Sequence, residues 1–185
     1  MNTLWNVRIK RIIICMLSII FLSLIINCSN YNEIVPFFDG LYLEYAGNGK
    51  PYLTYKVSAL EDNKFRILRK DKLYVTKRGE VELFVDSYGK VYASKKKRYL
   101  DRFSPIWIPV HEIEIGDTFD KRNYVERKDK WKSWEVLVVK DTPTGAESYY
   151  DLHTGYWVGG AGNTSLGSSK IVLINTNADI PTIEE

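Results

Sequence analysis

Few residues of this chain have the types and spacing that acid–base or metal chemistry requires. The sequence holds two histidines, His111 and His153, and neither has a metal-type partner two or four residues later. His111 precedes Glu112 and Glu114 and could act as a base paired with a carboxylate, but a solvated histidine at a strand end explains it more simply. We therefore predict no metal site, no cofactor and no enzymatic activity.

Two further motifs invite a chemical interpretation and do not sustain it. Asp117 and Asp120 flank Thr118-Phe119, and a calcium loop needs a denser set of oxygen ligands. The glycine-rich stretch 159–170 resembles a phosphate loop only in composition, because Lys170 leads into the apolar run Ile171–Ile174 instead of a helix. We predict a flexible loop between two late strands here.

A cysteine at the end of an apolar segment is the third chemical candidate. Arg8, Lys10 and Arg11 precede the fifteen-residue, largely apolar segment Ile12–Ile26, and Asn27-Cys28 follow it. A membrane-spanning helix needs about 20 apolar residues, whereas export signals use about 7 to 15. The basic residues stay on the cytoplasmic side, so residues from 29 onward are predicted to be extracytoplasmic.

The sequence Leu24-Ile25-Ile26-Asn27-Cys28 resembles the lipobox of prokaryotic lipoproteins, although Asn27 stands where Gly, Ala or Ser is commoner. The resemblance implies a lipid on the Cys28 thiol and cleavage just before it. Cys15 would then be removed, leaving Cys28 as the only cysteine, and exported domains normally use cysteines in pairs. The alternative is an uncleaved transmembrane helix in which Cys28 is an incidental thiol.

Removal of the signal also changes the charge balance. Residues 1–27 carry three basic and no acidic side chains, so 23 basic and 23 acidic residues remain. This balance gives no electrostatic case for nucleic-acid binding. The run Lys95-Lys96-Lys97-Arg98 could contact anionic lipid head groups, but a solvated turn or a lysine-protected strand edge is the favoured interpretation.

Beyond residue 37 the chain is rich in Tyr, Trp, Val and Ile, with turn residues at short, even intervals. This composition is typical of a sheet protein. The predicted strands are 41–46, 52–59, 64–69, 72–76, 81–85, 91–94, 106–111, 123–127, 134–139, 146–150, 156–158 and 171–174. Gly47-Asn48-Gly49, Arg78-Gly79 and Thr144-Gly145 are among the predicted turns.

The exported part has no apolar stripe of helical spacing longer than two turns. We therefore predict a mainly β fold: a single antiparallel sheet, strongly curved or partly closed into a barrel, preceded by an N-terminal apolar signal or anchor helix. Residues 1–27 form the signal peptide, 28–36 the lipid anchor and tether, 37–175 the β domain, and 176–185 a flexible tail.

Val85–Val91 and Tyr150–Tyr156 both place an Asp near a strand end and a Gly before the next strand, so each is predicted to be a hairpin. Together with Ser104–Pro109, Ile115-Gly116-Asp117 and the Trp131/Trp134 pair, their order is similar to that of lipoprotein-carrier-type half-barrel proteins. This resemblance implies an antiparallel sheet around an apolar cavity. That family normally covers the concave face with helices, for which this sequence has no obvious segment.

Aromatic residues remain as candidates for ligand or partner binding, because they give a large contact area at little entropy cost. Core and cross-strand packing is the alternative for each of them. Trp107, between Pro105 and Pro109, is expected at a sheet edge or rim. The candidate residues are Trp107, Trp131, Trp134, Tyr149, Tyr150 and Trp157.

Two function classes follow from these observations. The first is a membrane-tethered, lipid-anchored binding module of the cell envelope for a lipophilic ligand or lipidated partner. The second is a structural or interaction protein of the envelope without a ligand, held by an uncleaved helix. A continuous apolar cavity would favour the first class, and a filled core with an exposed aromatic patch the second.

Overall fold

A computed structural model describes residues 34–71, 80–119, 122–164 and 167–180. The chain divides into two units after Asn32, and all of these residues belong to the second. The strands are β1 (Tyr42–Gly47), β2 (Lys50–Ala59), β3 (Phe65–Asp71), β4 (Glu80–Val85), β5 (Val91–Ser94), β6 (Asn123–Trp131), β7 (Trp134–Asp141), β8 (Glu147–Asp151), β9 (Trp157–Thr164) and β10 (Gly167–Thr176).

All ten strands form one antiparallel sheet in the order β5-β4-β3-β2-β1-β10-β9-β8-β7-β6. Each half is a meander of five consecutive strands, and the pairing of β1 with β10 joins the halves. The predicted mainly β fold with a single antiparallel sheet is therefore confirmed. The predicted strong curvature or partial closure is wrong: the sheet is open and not strongly curled, with β5 and β6 at its two edges.

The hairpins follow from local sequence. Asn48 and Gly49 adopt positive φ angles of 52° and 75° in the β1–β2 turn, the conformation that a two-residue hairpin turn requires. Along β1 and β2, Leu43, Tyr45, Leu53, Tyr55 and Val57 are buried, in keeping with alternation of side chains across a sheet. Register is set by this alternation, since a shift of one residue would expose the whole apolar set.

A long connection, residues 95–122, joins the two edge strands. Its described residues 95–119 pack across one side of the sheet, which we call the covered face. Ile106, Trp107, Ile108, Val110 and Ile113 of this connection are all buried. The predicted strand at 106–111 is wrong, because this segment forms only an isolated bridge between Trp107 and Tyr156. The connection buries apolar side chains that closure of a barrel would otherwise bury.

Most other predicted strands are confirmed with shifted ends, and 72–76 lies outside the described residues. The prediction of a flexible loop over the glycine-rich stretch 159–170 is wrong, because Gly159, Gly160 and Gly162 belong to β9. Lys95 to Arg98 are exposed and lie at a turn after β5, as the solvated interpretation predicts.

The chain beyond β10 is attached to β1. The Asn177 side chain accepts a hydrogen bond from the Tyr42 N–H at 2.7 Å and donates one to the Gly40 carbonyl. Ile180 is buried at 6% exposure. The predicted flexible tail therefore starts with residues that are bonded to the sheet, and 181–185 lie outside the described residues.

No helix within the described ranges is both long and apolar enough to cross a membrane. The predicted signal or anchor segment, with its lipidation candidate Cys28, lies outside those ranges.

Candidate functional site

The candidate aromatic residues separate into two clusters on opposite sides of the sheet. Trp107, Tyr150 and Trp157 belong to the covered face. Trp131, Trp134 and Tyr149 lie together on the other side, which we call the outer face. The sequence predicted all six as one pool of candidates, and the structure brings them together only in these two groups.

Trp107 is clamped in the core by the two hairpin turns that the sequence predicted. Its side chain is fully buried, and its Nε1 donates a hydrogen bond to the Thr154 carbonyl at 3.0 Å. A Cβ atom added to Gly89 would lie 2.9 Å from the ring, and one added to Gly155 would lie 2.7 Å from Nε1. Trp107 therefore lies in the core, and the expectation of a position at an exposed rim is wrong.

Trp157 joins a packed group of aromatic rings beneath the connection. The Tyr45 and Trp157 ring centroids are 4.4 Å apart, and Tyr45 donates its hydroxyl hydrogen to the Trp157 carbonyl at 2.6 Å. The Tyr55 ring meets both at nearly a right angle. Burial raises the pKa of the Tyr45 and Tyr55 hydroxyls, so both stay protonated donors. This face is filled by side chains.

A small cavity remains between the connection and strands β6 to β8. It measures about 170 Å³ and includes Ser104, Phe119, Ser148 and Tyr150 in its lining. Pockets that bind drug-sized ligands measure roughly 300 to 1,000 Å³. The Ser104 hydroxyl is buried and finds no hydrogen-bond partner among the described residues. The cavity is too small for a lipid chain.

On the outer face, Trp131, Trp134 and Tyr149 form an aromatic cluster that packs against the backbone at Gly159. Trp131 stacks on Trp134 with centroids 5.8 Å apart, and its ring lies 4.8 Å from that of Tyr149. A Cβ atom on Gly159 would lie 2.4 Å from the Trp131 ring, so only glycine lets the indole approach the β9 backbone. Trp134 and Tyr149 are buried, whereas Trp131 keeps part of its surface exposed.

A group of ion pairs borders the outer aromatic cluster. Arg127 contacts the carboxylates of Glu147 at 3.1 Å and Asp129 at 3.0 Å, and also that of Glu126. Lys140 reaches Glu126 at 2.7 Å. The Tyr149 hydroxyl donates to Glu147 at 2.7 Å, which joins the aromatic and charged groups into one surface. We call the residues Arg127, Trp131, Tyr149 and Glu147 the outer patch.

The charged groups of the patch carry shifted pKa values with simple causes. Hydrogen bonding from Arg127 lowers the pKa of the Glu147 carboxyl, and hydrogen bonding from Lys140 lowers that of Glu126. Burial, followed by the nearby Glu147, raises the pKa of the Tyr149 hydroxyl. Near neutral pH the patch therefore presents an ordered set of opposite charges around a tyrosine donor.

The remaining chemical candidates that the structure describes, His111, Asp117 and His153, lie at exposed turns. His111 Nε2 lies 3.3 Å from the His153 carbonyl on an exposed turn, with no carboxylate in this contact. Asp117 accepts the Glu114 N–H and stabilises a turn. In the described part of the chain no group of three or more His, Cys, Asp or Glu residues is placed to hold a metal ion.

Sequence reasoning missed Gly159, which accommodates the Trp131 ring, and the ion pair of Arg127 with Glu147 beside the aromatic cluster. The sequence predicts a loop at Gly159 and strands at Arg127 and Glu147, with no special role for any of the three. Consecutive glycines within an otherwise strand-like stretch often mark a close approach of another group to the backbone. Gly159-Gly160 was that signal for Trp131.

Comparison of the chain with protein-family models and with curated protein sequences finds no match.

Proposed function

We propose that this protein is an exported, membrane-tethered β-sheet binding module of the cell envelope, which binds a protein partner through its outer patch. One observation carries the proposal: the covered face is filled, whereas Trp131 on the outer face is held rigidly, keeps exposed ring surface and adjoins Arg127 and Tyr149. Trp, Tyr and Arg are the residue types that dominate the centres of protein interfaces.

The rigidity of the patch supports binding, because little side-chain freedom is lost on association. Gly159 and Trp134 fix the Trp131 ring from two sides, and Glu147 orients both Tyr149 and Arg127. Ordering a mobile side chain on binding costs roughly 0.5 to 1.5 kcal/mol, and a side chain that is already fixed avoids most of that cost.

Export and tethering rest on the sequence of the first 28 residues. The basic residues, the short apolar segment and Cys28 support a lipid anchor, and an uncleaved N-terminal helix is the alternative form of tether. Both place the sheet outside the cytoplasm and close to the membrane. Absence of enzymatic activity stays a prediction.

Binding of a lipophilic ligand inside the sheet is the less well supported function. Its basis is the resemblance to lipoprotein-carrier-type proteins, which implies an apolar cavity. The connection 95–122 covers that face, and Trp107 and Trp157 occupy its interior. A cavity of about 170 Å³ leaves room for a small molecule only.

Site-specific photocrosslinking in the native host tests the partner. A photoreactive amino acid at Lys132, whose ammonium lies 5.9 Å from the Trp131 ring centroid, is expected to form a discrete adduct with one envelope protein. The same amino acid at Asn48 is the matched control, since both are exposed turn positions with φ near 50°. Trp131→Ala is expected to weaken binding by about 2 kcal/mol or more, roughly thirtyfold.

A folded Trp131→Ala variant is needed for this comparison, so its circular dichroism and thermal unfolding are measured in parallel. Trp131→Phe, which keeps an aromatic ring over Gly159, should restore part of the adduct. Equal adducts at Lys132 and Asn48, or an adduct that Trp131→Ala leaves unchanged, would refute binding through the outer patch.

A further inference from the structure

The five residues that lead into the sheet are apolar on both sides. Along 34–38 the side chains alternate: Val35 and Phe37 are buried at 4% and 8% exposure, whereas Ile34 and Phe38 are exposed at 69% and 42%. Pro36 is also exposed. An extended segment at a protein surface normally alternates apolar inward with polar outward residues. Here the outward side is apolar too.

Contacts with the domain fix this segment, so its outward side chains cannot turn inward. The Val35 N–H donates to the Ser87 carbonyl at 2.9 Å, and the Tyr156 hydroxyl donates to the Pro36 carbonyl at 2.6 Å. Phe37 meets the rings of Phe65 and Trp107 edge to face, with centroids 5.5 and 6.4 Å away. The exposure of Ile34 and Phe38 is therefore built into the fold.

Two more exposed apolar side chains lie at the same end of the sheet. The antiparallel register places the beginning of β1, the turn after β2 and the turn after β4 at one end. Leu60, in the turn after β2, is 41% exposed, and Tyr88, in the turn after β4, is 42% exposed. Ile34, Phe38, Leu60 and Tyr88 form what we call the apolar end.

The apolar end also contains a groove of about 380 Å³, lined by Ile34, Pro36, Phe38 and Tyr156 with Asp179 and His153 among its polar residues. Single exposed apolar residues are normal on soluble proteins, but several of them at one end mark a contact surface. The mixture of aromatic, aliphatic and polar groups matches the boundary between lipid head groups and acyl chains.

The short linker between Cys28 and Ile34 indicates that the partner of the apolar end is the lipid bilayer. Five residues separate Cys28 from Ile34, and the six Cα–Cα steps of a fully extended chain over that distance span at most about 20 Å. With the membrane attachment proposed above, on which this inference rests, the apolar end must stay within that distance of the bilayer. We propose that Ile34, Phe38, Leu60 and Tyr88 insert into the lipid interface and hold the domain upright on the membrane.

Such insertion would also supply a second attachment signal. A single acyl chain gives only marginal membrane binding, and stable attachment generally needs a second contribution. The ladders place Trp131, the last residue of β6, at the same end of the sheet, so anchorage at the apolar end would hold the outer patch near the membrane surface. The outward apolar residues would then have a role that packing within the domain does not give them.

Photolabelling of the full-length protein tests the inference. The protein is reconstituted in phosphatidylethanolamine and phosphatidylglycerol vesicles that contain a phospholipid with a diazirine in its acyl chain. After irradiation, labelled residues are identified by peptide mass spectrometry. An interfacial element lies about 5 to 10 Å into the bilayer boundary, so we expect roughly fivefold or greater labelling of Phe38 and Tyr88 over a distant control.

Ile115 is the matched control, because it is 59% exposed and lies near the opposite end of the sheet, where Gly116 bonds to Val125. Equal labelling of Ile115 and Phe38 would overturn the inference, as would crosslinks between two copies of the chain through Tyr88. Vesicle-bound protein without label at the apolar end overturns it and leaves the tether intact. Protein that does not remain with the vesicles refutes the tether itself, and the inference with it.

Discussion

Trp107 illustrates how one residue can organise two distant turns. Its ring contacts Gly89 after β4 and Gly155 after β8, and the neighbouring Ile108 N–H donates to the Gly155 carbonyl at 3.0 Å. Both glycines have a φ of 76°, a conformation that side chains other than glycine adopt at a cost. Two constraints therefore favour glycine at positions 89 and 155: the positive φ of the backbone and the lack of space for a Cβ beside the Trp107 ring.

The first prediction concerns Gly155→Ala. The new Cβ would lie 2.3 Å from the Ile108 carbonyl oxygen and would displace the connection, in addition to the positive-φ strain. We expect a loss of about 2 to 5 kcal/mol in the free energy of unfolding. Gly145→Ala is the matched control: its φ is 68°, no atom lies within 4 Å of its Cβ, and only the strain of about 1 to 2 kcal/mol applies. Urea unfolding measures both free energies. Equal losses in the two variants would contradict the close packing of Gly155 against Ile108 and Trp107.

At the scale of elements, the outer patch depends on three strands that each supply one part, with β7 between β6 and β8. β6 carries Arg127 and Trp131, β8 carries Glu147 and Tyr149, and β9 supplies the bare backbone at Gly159. In the ladders, Arg127 pairs with Val138, which pairs with Tyr149, which pairs with Gly159. A one-residue slip of β8 would move Tyr149 and Glu147 to the covered face and destroy the patch.

Acid sensitivity is predicted for this part of the sheet. Arg127 lowers the pKa of Glu147 below its ordinary value of 4.5, so the folded state binds a proton less readily than the unfolded state. The stabilisation is present above that ordinary value and is lost as the pH falls through the lower folded pKa. Because these side chains are partly exposed, we expect a contribution of less than about 1 kcal/mol.

Glu147→Gln tests this linkage. The variant should be less stable than the parent at pH 7, and the difference should shrink as the pH is lowered from 5 to 3. Urea unfolding at several pH values measures it, with Glu61→Gln in the exposed turn after β2 as a matched substitution. A constant difference between Glu147→Gln and the parent at every pH would rule out the ionic contribution.

At the scale of the whole molecule, the proposed function requires that the sheet is attached to a membrane. Cys28→Ala is expected to release the protein from the membrane fraction or to leave it unprocessed there, because the thiol that would carry the lipid is absent. Fractionation of host cells and the mass of the mature chain measure both outcomes. Cys15→Ala, within the apolar segment, is the control and should leave size and location unchanged.

A Cys28→Ala protein with the size and fractionation of the parent would eliminate the lipid anchor. The uncleaved helix would then be the remaining form of tether. The distinction matters for the apolar end, since a lipid on Cys28 leaves only five residues of linker before Ile34.

Much of the strand pattern could be predicted from the sequence, for a local reason. The β1–β2 hairpin follows from Gly47-Asn48-Gly49, and the turns at Asp86 and Asp151 follow from side chains that bond to nearby backbone N–H groups. Asp86 Oδ1 accepts the Tyr88 and Lys90 N–H groups at 2.9 Å each. These interactions span a few residues, so the local sequence is sufficient to specify them.

The sequence could not reveal which aromatic residues form a surface. Trp107 and Trp131 have similar local settings, each next to turn-forming residues, yet one is fully buried and the other partly exposed. The difference depends on the path of the connection 95–122 and on Gly159, which is 28 positions after Trp131 in the chain. Neither feature can be inferred from the few residues on either side of Trp107 or Trp131.

The sequence by itself determined a mainly β domain and its hairpins, because these depend on composition, alternation and short-range hydrogen bonds, and the export signal stays a prediction from the same sequence. Only the tertiary structure decided that the sheet stays open and that the connection fills one face. It also decided that, on the other face, Trp131 packs against Tyr149, the hydrogen-bond partner of Glu147. Those features arise from contacts between residues far apart in the chain, where packing space, and not local preference, selects the arrangement.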